Sequence, residues 1–484
     1  MSRWSWLLWL ALCGVTDASA EPRIDLAATP AWKGWTRSGR GTELDIRLTS
    51  DIATRATLDV AAGAQSARAD VDLEPGRTVR LQVPIEAAED AAVSAVSPGG
   101  SPVRKDVRLA QSESPLLGVG LGTDVPVRLD GFQTVTLAAD DLPRNASAYA
   151  SVDALILDGP TLRALDQRQL GALLAHAAEC GRIVLVNTDL RARQVLDGVR
   201  GCGGRAVMSA ASPAEGVEML KSSLATSLAP AISLVSIREL AQPDRVSWNR
   251  VLVLLAAYFA IAGLALIFVP SRPVLLLVPA LATVAILALL HAIEPPPQLV
   301  VWSEGESGAQ VARYEAWQMF PGLVRGQMRV PVLPQYAAVR SCEPSVPMRF
   351  DFDASRGRLT FAAFDTRLFR TTALCYSGMF PLQRTIAFEA RTDALLELRN
   401  AGRSAWPSGA LLAHGLVYDL PALGPGDSTI IRTEGRKSLE APVRIAMART
   451  ESDRIATLWE LDPGEVAEGA IDGKGWLLLT APRP

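Results

Sequence analysis

Two long uncharged stretches stand out in the pattern of apolar and polar residues along the chain. Residues 251–269 and 274–293 contain no Asp, Glu, Lys or Arg, and the sequence Pro-Ser-Arg-Pro separates them. A helix rises about 1.5 Å per residue, so each stretch is long enough to cross the ~30 Å hydrocarbon core of a bilayer. Proline both ends a helix and starts the next one. The pattern therefore predicts a hairpin of two transmembrane helices.

The N-terminus has the pattern of an export signal. Residues 1–20 contain Arg3, then an apolar run, then the small residues Ala18-Ser19-Ala20. This arrangement is typical of a cleaved secretory signal peptide. With export after Ala20, the hairpin enters the membrane from outside and returns. We therefore expect an inner (cytoplasmic) membrane protein with two spans, whose other domains are periplasmic or extracytoplasmic.

Short segments with alternating apolar and polar residues fill both flanks of the hairpin. In residues 21–112 the segment Thr78–Val83 alternates one residue after Pro75-Gly76, a pair that suits a type II turn. Several short strands at this spacing predict a β-sandwich of immunoglobulin-like (Ig-like) type. Residues 298–484 are also rich in strand signals and repeat a Leu-x-Pro-Gly turn at 423–426. They predict a C-terminal β-rich domain, again a β-sandwich.

The pattern changes in residues 113–240, where apolar strands alternate with amphipathic helices. The strand before Asp158 is almost continuously apolar, which is typical of a sheet covered on both faces. A helix follows with Asp166 and Gln169 placed as a capping box, and Gly181 ends it. Strands separated by helices predict a parallel, doubly wound α/β domain.

The segment VDALILDGPTLRALDQRQLGALLAHAAECGRIVLVNTD resembles the core of class I glutamine-amidotransferase-like domains. Such domains occur in bacterial envelope membrane proteins that also carry Ig-like β-sandwich domains. The resemblance implies a flavodoxin- or amidotransferase-like fold. Active amidotransferases place a cysteine directly after the second strand of this segment, where the present sequence has Asn187-Thr188-Asp189, and no His-x-Glu follows. A nucleophile needs an adjacent base, so the resemblance implies a degenerate domain without the reaction, and we name no catalytic residue.

Asp158 and Asp189 are the candidate ligand-binding residues of this domain. Both follow predicted strands, and open α/β sheets bind ligands at the carboxyl ends of their strands. The alternative is structural, with Asp158 turning the chain before Gly159-Pro160 and Asp189 capping the next helix. An enzymatic reading, a hydrolase or amidotransferase-like activity, would use Asp158, Asp189 or His176.

Four cysteines remain after removal of the predicted signal: Cys180, Cys202, Cys342 and Cys375. An even number in an oxidising compartment predicts two disulfides, and three pairings are possible. The simplest is Cys180–Cys202 and Cys342–Cys375, because each pair is local. A thiol or metal site is the alternative, since His176 and Cys180 share one helix face. The chain has only three histidines and no Cys-x-x-Cys, so we predict no metal site.

Charge and motifs narrow the functional classes. The net charge of −3 offers no basic field for nucleic acid, and no phosphate-binding loop is present, so we expect no cofactor. Four tryptophans of the C-terminal region are either a sugar-binding platform or core residues: Trp317, Trp406, Trp459 and Trp476. The sequence predicts a non-enzymatic, membrane-anchored envelope scaffold or binding subunit. Its expected partner is another envelope or membrane protein, with a glycan as a further candidate ligand.

Overall fold

The structure is a computed structural model. Five single residues are described between positions 253 and 263, and otherwise the described ranges are 21–37, 39–122, 131–178, 181–188, 207–225, 234–241, 297–307, 311–322, 326–333, 338–343, 345–366, 370–382, 386–392, 395–413, 415–432, 440–450, 454–466 and 473–482. The predicted signal peptide, residues 1–20, lies outside them.

The prediction of a two-span membrane protein is corrected by the structure. In the part of the chain that the structure describes, no helix is both long enough and apolar enough to cross a bilayer. Residues 274–293 lie outside the described residues, and 251–269 do so except for Val253, Ala256, Phe259, Ala260 and Gly263, which are helical. The predicted membrane anchor and inner-membrane location are therefore withdrawn.

Strands dominate the described residues. The N-terminal strands are β1 (Ile24–Pro30), β2 (Trp35–Thr36), β3 (Gly41–Ser50), β4 (Thr54–Ala62), β5 (Gln65–Leu73), β6 (Val79–Glu86), β7 (Asp90–Val96), β8 (Val103–Arg108) and β9 (Ala110–Gln111). The middle strands are β10 (Leu116–Gly120), β11 (Gln133–Thr136), β12 (Ala154–Asp158), β13 (Arg182–Val186) and β14 (Val207–Ala210).

The C-terminal strands are β15 (Gln298–Glu306), β16 (Val311–Gly322), β17 (Gly326–Pro331), β18 (Ala338–Ser341), β19 (Met348–Asp353), β20 (Arg358–Thr366), β21 (Arg370–Pro381), β22 (Ile386–Thr392), β23 (Leu395–Asn400), β24 (Gly409–Ala413), β25 (Leu416–Leu420), β26 (Ser428–Arg432), β27 (Arg454–Leu461) and β28 (Gly473–Pro482). The helices are α1 (Gly159–Ala164), α2 (Gln167–Ala178), α3 (Pro213–Ala225), α4 (Leu234–Ala241), α5 (Ala441–Arg449) and α6 (Pro463–Val466), with 3₁₀ turns at Ala31–Gly34, Ala139–Asp141 and Ala146–Ser151.

The N-terminal strands form two facing sheets. One contains β1, β3 and β6, and the other contains β4, β5, β7 and β8. Alternate residues of β3, namely Leu44, Ile46 and Leu48, are fully buried and belong to one core with Leu58 and Val60 of β4. This period-two burial is the pattern from which the strands were predicted.

One sheet joins the two ends of the chain. Its order is β17-β20-β19-β5-β4-β7-β8, and β19 pairs with β5 in parallel, from Gln65 opposite Met348 to Arg68 opposite Asp351. Phe350 and Phe364 of the C-terminal region share the hydrophobic core of the N-terminal strands. The N-terminal and C-terminal regions are therefore built around a common core, a connection that the sequence analysis did not anticipate.

The middle region contains the predicted parallel sheet. Its order is β11-β10-β12-β13-β14, with every pair parallel. Strands β10 and β13 are buried along their whole length, as expected for a sheet covered on both faces. The capping box of α2 also forms: Asp166 Oδ1 accepts from the Gln169 N–H at 2.8 Å, and the Asp166 N–H donates to Gln169 Oε1 at 3.0 Å.

A large mixed sheet completes the C-terminal region, with the order β18-β21-β16-β15-β28-β27-β24-β25. One face joins the common core, and the other packs against α4 and α5 through Ile237 and Val443. The four tryptophans considered for a sugar platform are at most 8% exposed, so they are core residues: Trp317, Trp406, Trp459 and Trp476.

The predicted disulfide between Cys342 and Cys375 forms, with a Cα–Cα distance of 5.1 Å. It links the chain after β18 to β21 within the large sheet. Cys180 and Cys202 lie outside the described residues, so the second predicted pair is not observed.

Alkylation of the folded protein without reduction should leave Cys342 and Cys375 unmodified, because a disulfide has no free thiolate. Peptide mass mapping before and after reduction checks this. Quantitative labelling of either residue before reduction would contradict the bond seen in the structure.

Candidate functional site

The order of the parallel sheet defines where a ligand site would be expected. β10 is the first strand of this region along the chain, and it lies between β11 and β12 in the sheet. The chain therefore runs from β10 to its neighbour on one side, β11, and then crosses back to its neighbour on the other side, β12. Doubly wound sheets with the order 2-1-3-4-5 bind ligands at this switch point, outside the carboxyl ends of the strands. Here those ends are Gly120 and Asp158.

Asp158 uses both carboxylate oxygens at this edge to hold the main chain. Its Oδ2 accepts from the Gly122 N–H at 2.6 Å, and its Oδ1 accepts from the Thr161 N–H at 2.8 Å. The second bond makes Asp158 the N-cap of α1. A Cβ on Gly122 would lie 3.3 Å from Asp158 Oδ2, so a larger residue there would crowd the carboxylate. The structure supports the structural alternative for Asp158.

Asp189 lies outside the described residues, but the turn that leads to it is described. Asn187 follows β13 directly and has a left-handed φ of 49°, a conformation that asparagine tolerates better than most residues. A Cβ on Gly159 would lie 3.4 Å from the carbonyl oxygen of Asn187 and 3.7 Å from Thr188 Cα. The turns after β12 and β13 therefore touch, and the side chain of Asn187 is exposed there.

His176 lies at the opposite edge of the sheet from Asp158. It sits near the end of α2, and its ring centroid is 5.3 Å from that of Tyr149. Burial lowers the pKa of His176 from 6.5 to about 4, and nearby Asp153, which precedes β12, only partly opposes this. Its Nε2 has no hydrogen-bond partner among the described residues. The structure does not bring His176 together with Asp158, and the imidazole is neutral near pH 7.

The 3₁₀ turn Ala146–Ser151, which we call the docking segment, joins the α/β region to the N-terminal sandwich. It contacts β3 and β6 of the sandwich, α2 of the α/β region and β18 of the large sheet. Trp32, fully buried, donates from Nε1 to the Ala148 carbonyl at 2.8 Å and packs edge-on against Tyr149. All three regions of the chain therefore meet at this segment.

A buried carboxylate lies beside the docking segment. Glu43 on β3 accepts hydrogen bonds from the backbone N–H groups of Arg144 and Asn145 at 3.3 and 3.2 Å, and from Asn145 Nδ2 at 2.8 Å. Burial still raises the pKa of Glu43 above its ordinary value. Neither Glu43 nor Trp32 was predicted from the sequence. Glu43 gave no local signal, because the alternation of β3 places it with Asp45 and Arg47 on the polar face of the strand.

A surface groove lies at the far end of the large sheet, and we call it the β27 groove. Its volume is about 620 Å³. The side walls carry Glu460, Asp462 and Lys474, and Trp406 and Pro407 lie opposite β27. Neither in this groove nor at any other place among the described residues are three His, Cys, Asp or Glu side chains grouped so that they could hold a metal ion.

Comparison with known proteins gives little beyond this geometry. No family model matches the chain, and no curated protein matches it. Among solved structures, one match is a Bordetella pertussis protein named as an ApaA protein, with 14% identity over 19% of this chain and 96% of that one. The TM-score is 0.14, so this likeness supports no conclusion about fold or function.

Proposed function

We propose that the protein is a non-enzymatic scaffold or binding protein. The observation that carries this proposal is the use of Asp158, whose two carboxylate oxygens are bonded to backbone N–H groups at the expected ligand site. A carboxylate held in this way stabilises the fold, because each oxygen accepts a backbone hydrogen bond, and this role needs no substrate. Of the two other candidates for chemistry, His176 is buried at the opposite edge, and Asp189 lies outside the described residues.

We further propose that the α/β region is a degenerate amidotransferase-like domain and that the N-terminal sandwich is Ig-like. The strand order 2-1-3-4-5 supports the first assignment. So does the sharp turn at Asn187, because nucleophile elbows are tight turns directly after a strand. Two facing antiparallel sheets with alternating burial support the second assignment.

The common core supports a scaffold role more than a catalytic one. The sandwich, the α/β region and the large sheet meet at the docking segment, and a seven-stranded sheet joins the two ends of the chain. A body built in this way presents several surfaces in a fixed arrangement. We propose that these surfaces bind another protein.

Brief cross-linking in native extracts, followed by purification and mass spectrometry, tests the proposal. We expect one partner protein to co-purify reproducibly with the wild type and equally with Asp158→Asn. A metabolite that raises the melting temperature of the wild type, but not of Asp158→Asn, would contradict the proposal and favour the enzymatic alternative.

Asp158→Ala should lower the free energy of unfolding by about 2 kcal/mol, because it removes a helix N-cap and leaves the Gly122 N–H without its acceptor. Asp158→Asn keeps one acceptor oxygen and should cost about half as much. Chemical denaturation of both variants measures this. Equal stability of Asp158→Ala and the wild type would show that the two hydrogen bonds do not stabilise the fold.

A further inference from the structure

The β27 groove lies where the large sheet splits. β24 pairs with β27 only from Gly409 opposite Trp459 to Leu412 opposite Ala456. Before Gly409 the chain leaves β27, and Trp406 exchanges two backbone hydrogen bonds with Leu423 instead. On its other side β27 continues to pair with β28 as far as Leu461. The end of β27 therefore has a neighbouring strand on one side only, within the described part of the chain.

The backbone of Glu460 points into this gap. The Leu458 carbonyl oxygen lies 2.7 Å from the position of a Cβ on Gly409, so it points toward β24. The Leu461 carbonyl oxygen lies 2.4 Å from the corresponding position on Gly475, so it points toward β28. Backbone polar groups of an antiparallel strand alternate between its two sides. Glu460 therefore directs its N–H and C=O the same way as Leu458, into the groove.

The neighbouring chain does not continue the ladder opposite Glu460, because the pairing of β24 with β27 stops at Gly409. Pro407 has no N–H to donate, and the N–H and C=O of Trp406 are bonded to Leu423 at 2.8 and 3.0 Å. The groove thus presents the N–H donor and the C=O acceptor of Glu460, separated as they are in any β-strand. Such an edge is a template for pairing with another extended chain.

The side chains of the groove give it a net negative charge. Glu460 and Asp462 carry carboxylates, and Lys474 carries the single ammonium group among the lining residues. Lys474 forms no ion pair with either carboxylate in the described structure. One oxygen of Asp462 accepts from the Gly464 N–H at 2.9 Å. A cationic side chain that enters the groove would therefore meet two carboxylates.

We propose that the β27 groove binds an extended, basic segment of a partner protein, which adds beside Glu460 as a short strand. Backbone hydrogen bonds to Glu460 hold the segment, and the two carboxylates select lysine or arginine at alternate positions, as in other cases of strand addition. The inference rests on the proposed binding function and specifies the chemistry of the partner.

The test uses the full-length protein and a fluorescein-labelled Lys-Val-Lys-Val-Lys peptide, followed by fluorescence polarisation. We expect saturable binding that weakens at least tenfold in the double variant Glu460→Gln/Asp462→Asn. A second peptide, N-methylated at alternate residues, should also bind at least tenfold more weakly, because it cannot donate to the Glu460 carbonyl. The N-methylated peptide keeps its lysine charges, so its weaker binding would come from the lost backbone hydrogen bonds and not from lost charge.

The matched control is Asp72→Asn/Glu74→Gln, which removes two exposed carboxylates at the same spacing in the N-terminal region. It should bind the peptide like the wild type. Absence of saturable binding, equal binding by the Glu460/Asp462 variant, or equal binding of the N-methylated peptide would each overturn the groove assignment. If a co-purified partner stays bound to that variant, the groove proposal fails while the binding function stands.

Discussion

Replacing Trp32 by alanine should lower the free energy of unfolding by about 3–5 kcal/mol, the cost of removing a large buried aromatic side chain. Trp32 belongs to the N-terminal region but is fully buried in the core of the α/β region, against Leu155 and Tyr149. It anchors one region of the chain in another. Guanidinium-induced unfolding followed by circular dichroism measures the loss.

Two controls separate the contributions of Trp32. Trp32→Phe keeps an aromatic ring but leaves the Ala148 carbonyl without its donor, so it should cost only about 1–2 kcal/mol. Lys33→Ala changes the neighbouring residue, which shares the left-handed backbone of Trp32, and should have little effect. If Trp32→Ala unfolds like the wild type, the docking of the two regions contributes nothing measurable to stability.

Acidification should destabilise the wild type by about 3 kcal/mol more than His176→Leu between pH 7 and pH 4. Burial depresses the pKa of His176 from 6.5 to about 4 in the folded protein. The lowered pKa means that protonating His176 costs more free energy in the folded state than in the unfolded state. The stability due to neutral His176 is therefore complete above pH 6.5 and is lost as the pH falls toward 4.

The comparison with His176→Leu isolates this histidine from other groups that titrate in the same range. Glu43 has the opposite sign, because its raised pKa makes its contribution fall as the pH rises. Both proteins contain Glu43, so its effect cancels in the difference between their unfolding free energies. Parallel stability curves for the two proteins from pH 7 to pH 4 would show that His176 is not buried in its neutral form.

Local patterns predicted much of the fold. Alternation along Thr78–Val83 and the continuous apolar run before Asp158 both correspond to strands, and the Asp166–Gln169 capping box starts α2 as expected. These signals succeed because strand pleat and helix capping depend on residues close together in sequence. The structural alternative for Asp158 was a turn of the chain before Gly159-Pro160, and its capping of α1 was not predicted.

Features that depend on contacts between distant parts of the chain were not predicted from the sequence. The pairing of β5 with β19 joins residues that no local pattern connects. The burial of Trp32 depends on a left-handed turn that sequence rules assign mainly to glycine. The membrane prediction was wrong: it rested on apolar length alone, and no helix in the described part of the chain is both long and apolar enough to span a bilayer. Gly122, the second partner of Asp158, gave no signal, since its role depends on the order of the strands.

The shared sheet has a consequence for synthesis of the protein on the ribosome. Strand β5 cannot pair with β19 until β19 has been synthesised, about 280 residues later. At typical elongation rates this takes on the order of tens of seconds. During that interval one edge of the nascent N-terminal sheet has no partner, and unpaired edges invite aggregation. Production of this protein should therefore depend on a chaperone that shields the edge until the C-terminal strands arrive.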